Sequence, residues 1–260
     1  MPEYVHGGDV YSYAERYGGE PLDLSANISS FGIPERVRQA MHRAIEDCAR
    51  YPDPFCRAAR RAIGAAEAVP DGFLYCGNGA ADVLDRLAAA LRPRRALLTA
   101  PAFAEYERTL AGADIRFHYL REDEGFAVTE RILSDITPET DVVYLCNPNN
   151  PTGRTVEPAL LRAVAARCAD AGARLIVDEC FVDFLQDAAR HTLKGLLAGS
   201  PHLILLRAYT KLFAVPGVRF GWCMTADVGL IEALYRAGQP WNVSVVAQAC
   251  AAAARPPIRS

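Results

Sequence analysis

An α/β fold, three-layered with a mostly parallel sheet, is predicted by three observations. Short apolar, β-branched runs alternate with amphipathic helical segments along most of the chain. Those runs are apolar at consecutive positions, as in DVVYLC (141–146) and HLILLRAY (202–209), the pattern of strands buried on both faces. The 260 residues are 51% hydrophobic, enough to build a sizeable core, and contain no internal repeat.

Taken in order, residues 1–30 look irregular, because Gly7, Gly8, Gly18 and Gly19 interrupt any period. A helix begins after Pro34, since Val37, Ala40, Met41, Ala44, Ile45 and Cys48 share one face at helical spacing. GFLYC (72–76) is a short buried strand and AADVLDRLAAAL (80–91) a helix. RALLTA (95–100) is strand-like, AFAEYERTLAGA (102–113) helical, IRFHYL (115–120) alternates as a strand, and TERILSDI (129–136) is helical. DVVYLC runs into the loop Asn147-Pro148-Asn149-Asn150-Pro151-Thr152-Gly153. PALLRAVAARCADAG (158–172) is a helix closed by Gly172, RLIVDEC (174–180) a strand, and HLILLRAY another.

Composition narrows the function classes. With 28 Lys+Arg against 31 Asp+Glu, the formal charge is −3, and no basic footprint suggests nucleic acid. The apolar content excludes a disordered chain. No apolar stretch is long enough to span a bilayer, and MPEYVHGGDVYSY lacks the basic-then-apolar order of a secretory signal, so a cytoplasmic protein without membrane partners is expected. The eight cysteines are scattered, with no CxxC pair and no zinc-ligand spacing; no metal site is expected, and free buried thiols are.

Ligands of open α/β sheets lie beyond the carboxyl ends of the strands. Four polar features fall at such ends: Gly77-Asn78-Gly79, the Asn150 loop, Asp178, and Thr210-Lys211. The GNG turn opens a helix whose N–H groups can hold a phosphate, although taken alone such a signal is more often a plain tight turn. A dinucleotide site is disfavoured: Asp82 stands where the third glycine of GxGxxG belongs, and RALLTA ends without an acidic residue. In Asn147–Gly153, two prolines and a Thr-Gly fix a backbone that presents Asn amides. Asp178 can serve as a helix cap, an ion pair, or the partner of a cationic ring nitrogen. Lys211, among apolar neighbours, suits Schiff-base chemistry, and Arg219 suits a phosphate. Together they match one ligand, pyridoxal 5′-phosphate: an aldehyde for Lys211, a pyridinium nitrogen for Asp178, a ring hydroxyl for Asn150, and a phosphate for Gly79, Thr210 and Arg219.

Ordered motifs GNG, PAF, NPNNPTG, DEC, TK and R, spread over residues 70–225, resemble the fold-type-I pyridoxal-phosphate enzymes of the class I/II aminotransferase superfamily. Within it, HGGDVYSYA (6–14), LDLSANISSFGIP (22–34), RYPDP (50–54), PAFAEY (101–106), DECFVDF (178–184), PGVRFGW and PWNVS (240–244) look like the threonine-phosphate decarboxylases of cobalamin biosynthesis. The histidinol-phosphate aminotransferases share RYPDP and NPNNPTG, but they do not usually open with HGG and normally carry Tyr where this chain has Phe181.

The resemblance implies roles at the matching positions. Lys211 bonds the cofactor aldehyde and moves protons, Asp178 keeps the ring nitrogen protonated, Asn150 holds the ring hydroxyl, and Phe103 stacks on the ring. Gly79, Ala80, Thr210 and Arg219 bind the phosphate with Asn78 beside them, while Tyr51 reaches the phosphate of a neighbouring subunit, implying a homodimer with shared sites. His6, Gly8 and Asn27 are substrate contacts on an arm, residues 1–34, that covers the site. Residues 35–260 are then the large domain, with 245–260 the truncated start of a small C-terminal domain that relatives complete with substrate-binding arginines.

Two further departures bear on function. Ala208 replaces a hydroxyl residue three positions before the lysine, and Phe181 cannot hydrogen-bond the ring hydroxyl, which suits the decarboxylase subgroup. The implied activity is decarboxylation of L-threonine O-3-phosphate, a small phosphorylated amino acid. A histidinol-phosphate-type aminotransferase and a non-catalytic cofactor-binding homologue are the alternatives.

Overall fold

The computed structural model describes residues 7–254. Its elements, in order, are α1 (Val10–Tyr17), α2 (Glu35–Ala44), α3 (Arg57–Glu67), β1 (Leu74–Gly77), α4 (Ala80–Leu91), β2 (Arg95–Ala100), α5 (Glu105–Thr109), β3 (Asp114–Tyr119), α6 (Ile132–Asp135), β4 (Val142–Cys146), α7 (Pro158–Ala171), β5 (Arg174–Asp178), β6 (Leu203–Arg207), β7 (Gly221–Met224), α8 (Val228–Arg236) and α9 (Val245–Ala253). Short 3-10 turns fill several of the connections.

The strands form one sheet in the order β1-β7-β6-β5-β4-β2-β3. β7 is antiparallel to both of its neighbours and every other pair is parallel. The strands therefore alternate core-facing residues to two sides. Leu97, Val143, Leu145, Leu175, Val177, Leu203 and Leu205 pack on one face with Val37 of α2, Ile63 of α3, Leu161 of α7 and Cys250 of α9. Leu98, Tyr144, Cys146, Ile176, Ile204 and Leu206 pack on the other with Leu84 of α4, Tyr106 of α5 and Leu230 of α8. This is the three-layer arrangement expected of continuous apolar runs, and the mostly parallel sheet is as predicted.

Helix boundaries follow from local chemistry. Pro158 occupies the first turn of α7, the Glu157 carboxylate accepts from the Ala159 and Leu160 amides, and Gly172 closes the helix in the left-handed region at φ 74°. Ser244 caps α9 through Ala247 N–H, and Asp53 Oδ2 accepts from Arg57 N–H at the start of α3.

Several sequence expectations are corrected. The stretch 1–30 is not wholly irregular, since α1 forms there, capped by Asp9 but burying no residue. The helix expected over 102–113 is only Glu105–Thr109, ending where Thr109 Oγ1 bonds back to Tyr106 O at 3.0 Å, and that over 129–136 is one turn. β1 starts at Leu74 because Asp71–Phe73 makes a 3-10 turn. The eight cysteines are free and most are buried, as anticipated. Among the described residues no helix is long and apolar enough to cross a membrane.

Candidate active site

The parallel strands bring their carboxyl ends, and the amino end of antiparallel β7, to one edge of the sheet. Along that edge lie the GNG turn after β1, Phe103 after β2, the Asn147–Gly153 loop after β4, Asp178 closing β5, Lys211 after β6, and Arg219 before β7.

Gly79 and Arg219 form an anion cradle. Gly79 holds φ at 87°, and a Cβ there would lie 2.6 Å from Arg219 Nη2, so only glycine lets the guanidinium close on the turn. A Cβ at Gly221 would come within 2.4 Å of the Ala80 amide nitrogen, which binds β7 tightly to the first turn of α4. That helix has no side-chain cap, leaving its first-turn amides beside a fixed cation. The Asn78 amide is turned elsewhere, donating to Asp82 Oδ2 at 2.9 Å.

Asp178 is buried, and its two oxygens are differently engaged. Oδ1 accepts from Cys180 N–H at 2.9 Å, and Oδ2 accepts from the Tyr106 hydroxyl at 2.7 Å. Burial, and then the adjacent Asp178 carboxylate, push the Tyr106 phenol well above its ordinary range, so it remains a donor. Phe103 meets Tyr106 edge-on at 5.7 Å between ring centroids.

Lys211 is half-buried at the start of the turn that follows Thr210, itself buried. Burial lowers the pKa of its amine below the usual lysine value, with the Cys180 thiol opposing and the Arg219 guanidinium reinforcing the shift. The Ser29 amide donates to the Lys211 carbonyl at 3.0 Å, which fastens the N-terminal segment to the lysine's own backbone.

In the Asn147–Gly153 loop, Asn147 Nδ2 donates to His191 O at 2.8 Å and its Oδ1 accepts from Val156 N–H. Asn149 Nδ2 bonds Pro101 O and Thr152 Oγ1, and its buried Oδ1 has no partner. These bonds fix the loop around Asn150, which remains half-buried.

The donor set fits pyridoxal phosphate: a glycine-shaped anion cradle with a guanidinium, an anchored buried carboxylate for a protonated ring nitrogen, and a lysine biased toward its neutral, nucleophilic form.

Of the sequence-predicted residues, Gly79 and Arg219 meet directly, Ala80 follows Gly79 and abuts Gly221, and Lys211 lies within the electrostatic reach of Arg219 and Cys180. Gly8 donates its amide to Ser25 Oγ at 2.8 Å, Asn27 is exposed, and His6 lies outside the described residues. Tyr51 meets none of them; it is exposed and stacks on Trp241. Sequence reasoning missed Tyr106, because its partner Asp178 lies 72 positions further along the chain.

The class I and II aminotransferase family model matches residues 20–257. Over 248 residues, 94% of this chain and 68% of the other, the sequence is 38% identical to the threonine-phosphate decarboxylase of Salmonella typhimurium. It is 34% identical to histidinol-phosphate aminotransferase 2 of Ralstonia nicotianae, covering 96% of this chain and 68% of that protein. The solved histidinol-phosphate aminotransferase of Clostridium acetobutylicum superposes with a TM-score of 0.80 at 28% identity, over 87% of this chain and 67% of that one. The chain thus spans about two thirds of the length of the relatives it matches. With the sheet order, the lysine and carboxylate at the strand ends, and this match over nearly its whole length, the chain belongs to the pyridoxal-phosphate-dependent class I and II aminotransferase family.

Proposed function

We propose that the chain is the cofactor-binding part of a lyase that decarboxylates L-threonine O-3-phosphate to (R)-1-aminopropan-2-yl phosphate and CO2, in cobalamin biosynthesis. The observation that carries this reading is the Lys211 and Asp178–Tyr106 arrangement in a chain 38% identical to a threonine-phosphate decarboxylase. Phe181, which offers no hydroxyl, agrees with it.

Bound pyridoxal phosphate supplies an electron sink. The chain's residues do the rest. Gly79, Ala80, Thr210 and Arg219, with Asn78 adjoining, would hold the phosphate. Asp178, held by Tyr106 and the Cys180 amide, would keep the ring nitrogen protonated; Asn150 would hold the ring hydroxyl, and Phe103 would pack against the ring. Lys211, its pKa lowered by burial, would bond the aldehyde carbon and would serve as the acid–base group at the substrate Cα. The substrate Cα–carboxylate bond breaks, CO2 leaves, and a proton delivered to Cα by Lys211 completes the reaction.

In this reading residues 1–34 are an arm over the site, contributing His6, Gly8 and Asn27 to the substrate; the bond from Ser29 to Lys211 supports that placement. Residues 35–260 are the large domain, with the start of a small domain at 245–260, and Tyr51 reaches the phosphate site of a second copy in a cytoplasmic homodimer.

A histidinol-phosphate-type aminotransferase is the second reading, favoured by the 34% identity to such an enzyme. The test is product analysis of the chain loaded with pyridoxal phosphate, alongside its visible spectrum. Release of CO2 from threonine phosphate is expected, with Lys211→Ala losing the bound-cofactor band. Conversion of the cofactor to its amine form by histidinol phosphate, without CO2, would establish the second reading. Retained cofactor with neither reaction would leave a non-catalytic binder.

A further inference from the structure

Asp82 is the node of a web that joins the GNG turn to a distant segment. Its Oδ2 accepts from Asn78 N–H at 2.9 Å and from Asn242 Nδ2 at 2.6 Å, and its Oδ1 accepts from Arg86 Nε at 3.1 Å. Arg86, buried, also donates to Gln239 O at 3.0 Å and Leu234 O at 3.4 Å. A Cβ at Gly238 would strike its guanidinium at 2.5 Å, so the turn between α8 and α9 is moulded onto this arginine. That turn carries Trp241 in the left-handed region at φ 59°, a conformation rarely adopted by a bulky side chain.

The strained residue is also 47% exposed, so burial does not explain it. Its ring lies against Tyr51, with centroids 4.9 Å apart and planes 32° from each other. Tyr51 is 82% exposed. Its loop is held from behind, where Gln248 Nε2 of α9 donates to Asp53 O at 2.9 Å and to Val243 O at 3.1 Å. Backbone ties and one ring contact thus aim a phenol outward from the surface, and the ring contact comes from the turn anchored to Asp82.

We infer that Trp241 is a positioning residue: it is the platform that presents the Tyr51 hydroxyl to an anion held by a second copy, and Asn242–Asp82 is the strut fixing that platform to the chain's own GNG turn. The inference rests on the proposed role of Tyr51 at a neighbouring phosphate site. An exposed tyrosine without a platform samples several rotamers, and a stacked partner removes that entropy before the ligand arrives.

The test is the dissociation constant of pyridoxal phosphate for the 260-residue chain, read by absorbance titration. Tyr51→Phe removes the hydroxyl and keeps the stack; Trp241→Ala removes the platform and keeps the hydroxyl. Each is expected to weaken binding about two- to tenfold. In the Tyr51→Phe background Trp241→Ala should have little further effect, Trp241→Phe should restore near-normal binding, and Asn242→Ala should weaken it as Trp241→Ala does. Weakening by Tyr51→Phe but not by Trp241→Ala overturns the platform and leaves the Tyr51 role standing. No weakening by Tyr51→Phe overturns the Tyr51 role, and the platform with it. Equal loss from Trp241→Ala in both backgrounds shows that Trp241 acts by another route and also overturns the inference. Should Trp241→Ala fail to fold, fluorescence decides. Trp222 is fully buried, so acrylamide quenching of the cofactor-free chain reads Trp241. Tyr51→Ala should raise that quenching; unchanged quenching overturns the stack in solution.

Discussion

The Tyr106 hydroxyl and the Cys180 amide divide the Asp178 carboxylate between them, one bond to each oxygen. Tyr106→Phe keeps the packing against Phe103 and Tyr144 but removes one hydrogen bond to a buried charge, about 1.5–3 kcal/mol. Turnover should fall roughly ten- to hundredfold with cofactor still bound, checked by steady-state kinetics beside a cofactor titration. Lys211 allows a second prediction. Because burial lowers its pKa, the neutral amine is more abundant at any given pH than in free lysine. The rate of pyridoxal addition should rise with pH to a midpoint below 10.5, measured by stopped-flow absorbance; a midpoint at or above the free-lysine value would contradict it. The stability linkage has the matching sign: folding disfavours the protonated amine, so this group's contribution improves as pH rises from the lowered value toward 10.5. The lysine, aspartate and glycine turn were legible in the sequence because each sits at the end of an apolar run. Tyr106, Asp82 and Trp241 were not, since their significance lies in partners 72, 160 and 190 positions away.

Among the elements, α8 shows how much one side chain supports. Asp227 Oδ1 accepts from Leu230 N–H at 3.0 Å, and Oδ2 pairs with Arg174 at 2.7 Å on β5. Asp227→Ala should cost about 1–2 kcal/mol, read as a lower urea midpoint with unchanged slope. Partial burial alone would raise this carboxyl's pKa, but the Leu230 amide and Arg174 outweigh it and hold the value below 3.8. The contribution is therefore complete above pH 3.8 and lost as pH falls through the lowered value. The parallel strands were readable because burial on both faces forces apolar residues at consecutive positions. The helix α3 was hidden by Gly64, which looks like a breaker; a Cβ there would lie 2.8 Å from Val69 O, so it is a close-approach glycine inside a helix. α1 is short and buries nothing, and β7 has only four residues.

For the whole molecule, one buried ionic web joins the sheet to α3. Arg207 Nη2 pairs with Glu179 at 2.7 Å and its Nη1 with Glu67 at 3.2 Å, while Lys194 reaches Glu67 at 2.9 Å. Burial raises the Glu179 pKa against the pull of Arg207. Arg207→Met would leave the buried Glu179 without its cation and Glu67 with Lys194 alone, and should cost about 3–5 kcal/mol in chemical denaturation, whereas exposed pairs such as Arg236–Glu232 should contribute under about 1 kcal/mol. The same sheet has a consequence for synthesis. β1 carries the GNG turn yet pairs only with β7, Leu74 opposite Met224 and Gly77 opposite Gly221. A ribosome making roughly 5–20 residues per second needs on the order of ten seconds to travel from one strand to the other. Through that interval the nascent chain can assemble β2 to β6 while its first strand has no neighbour. The anion cradle is thus among the last parts of the sheet to close, and it cannot form before β7 has been made.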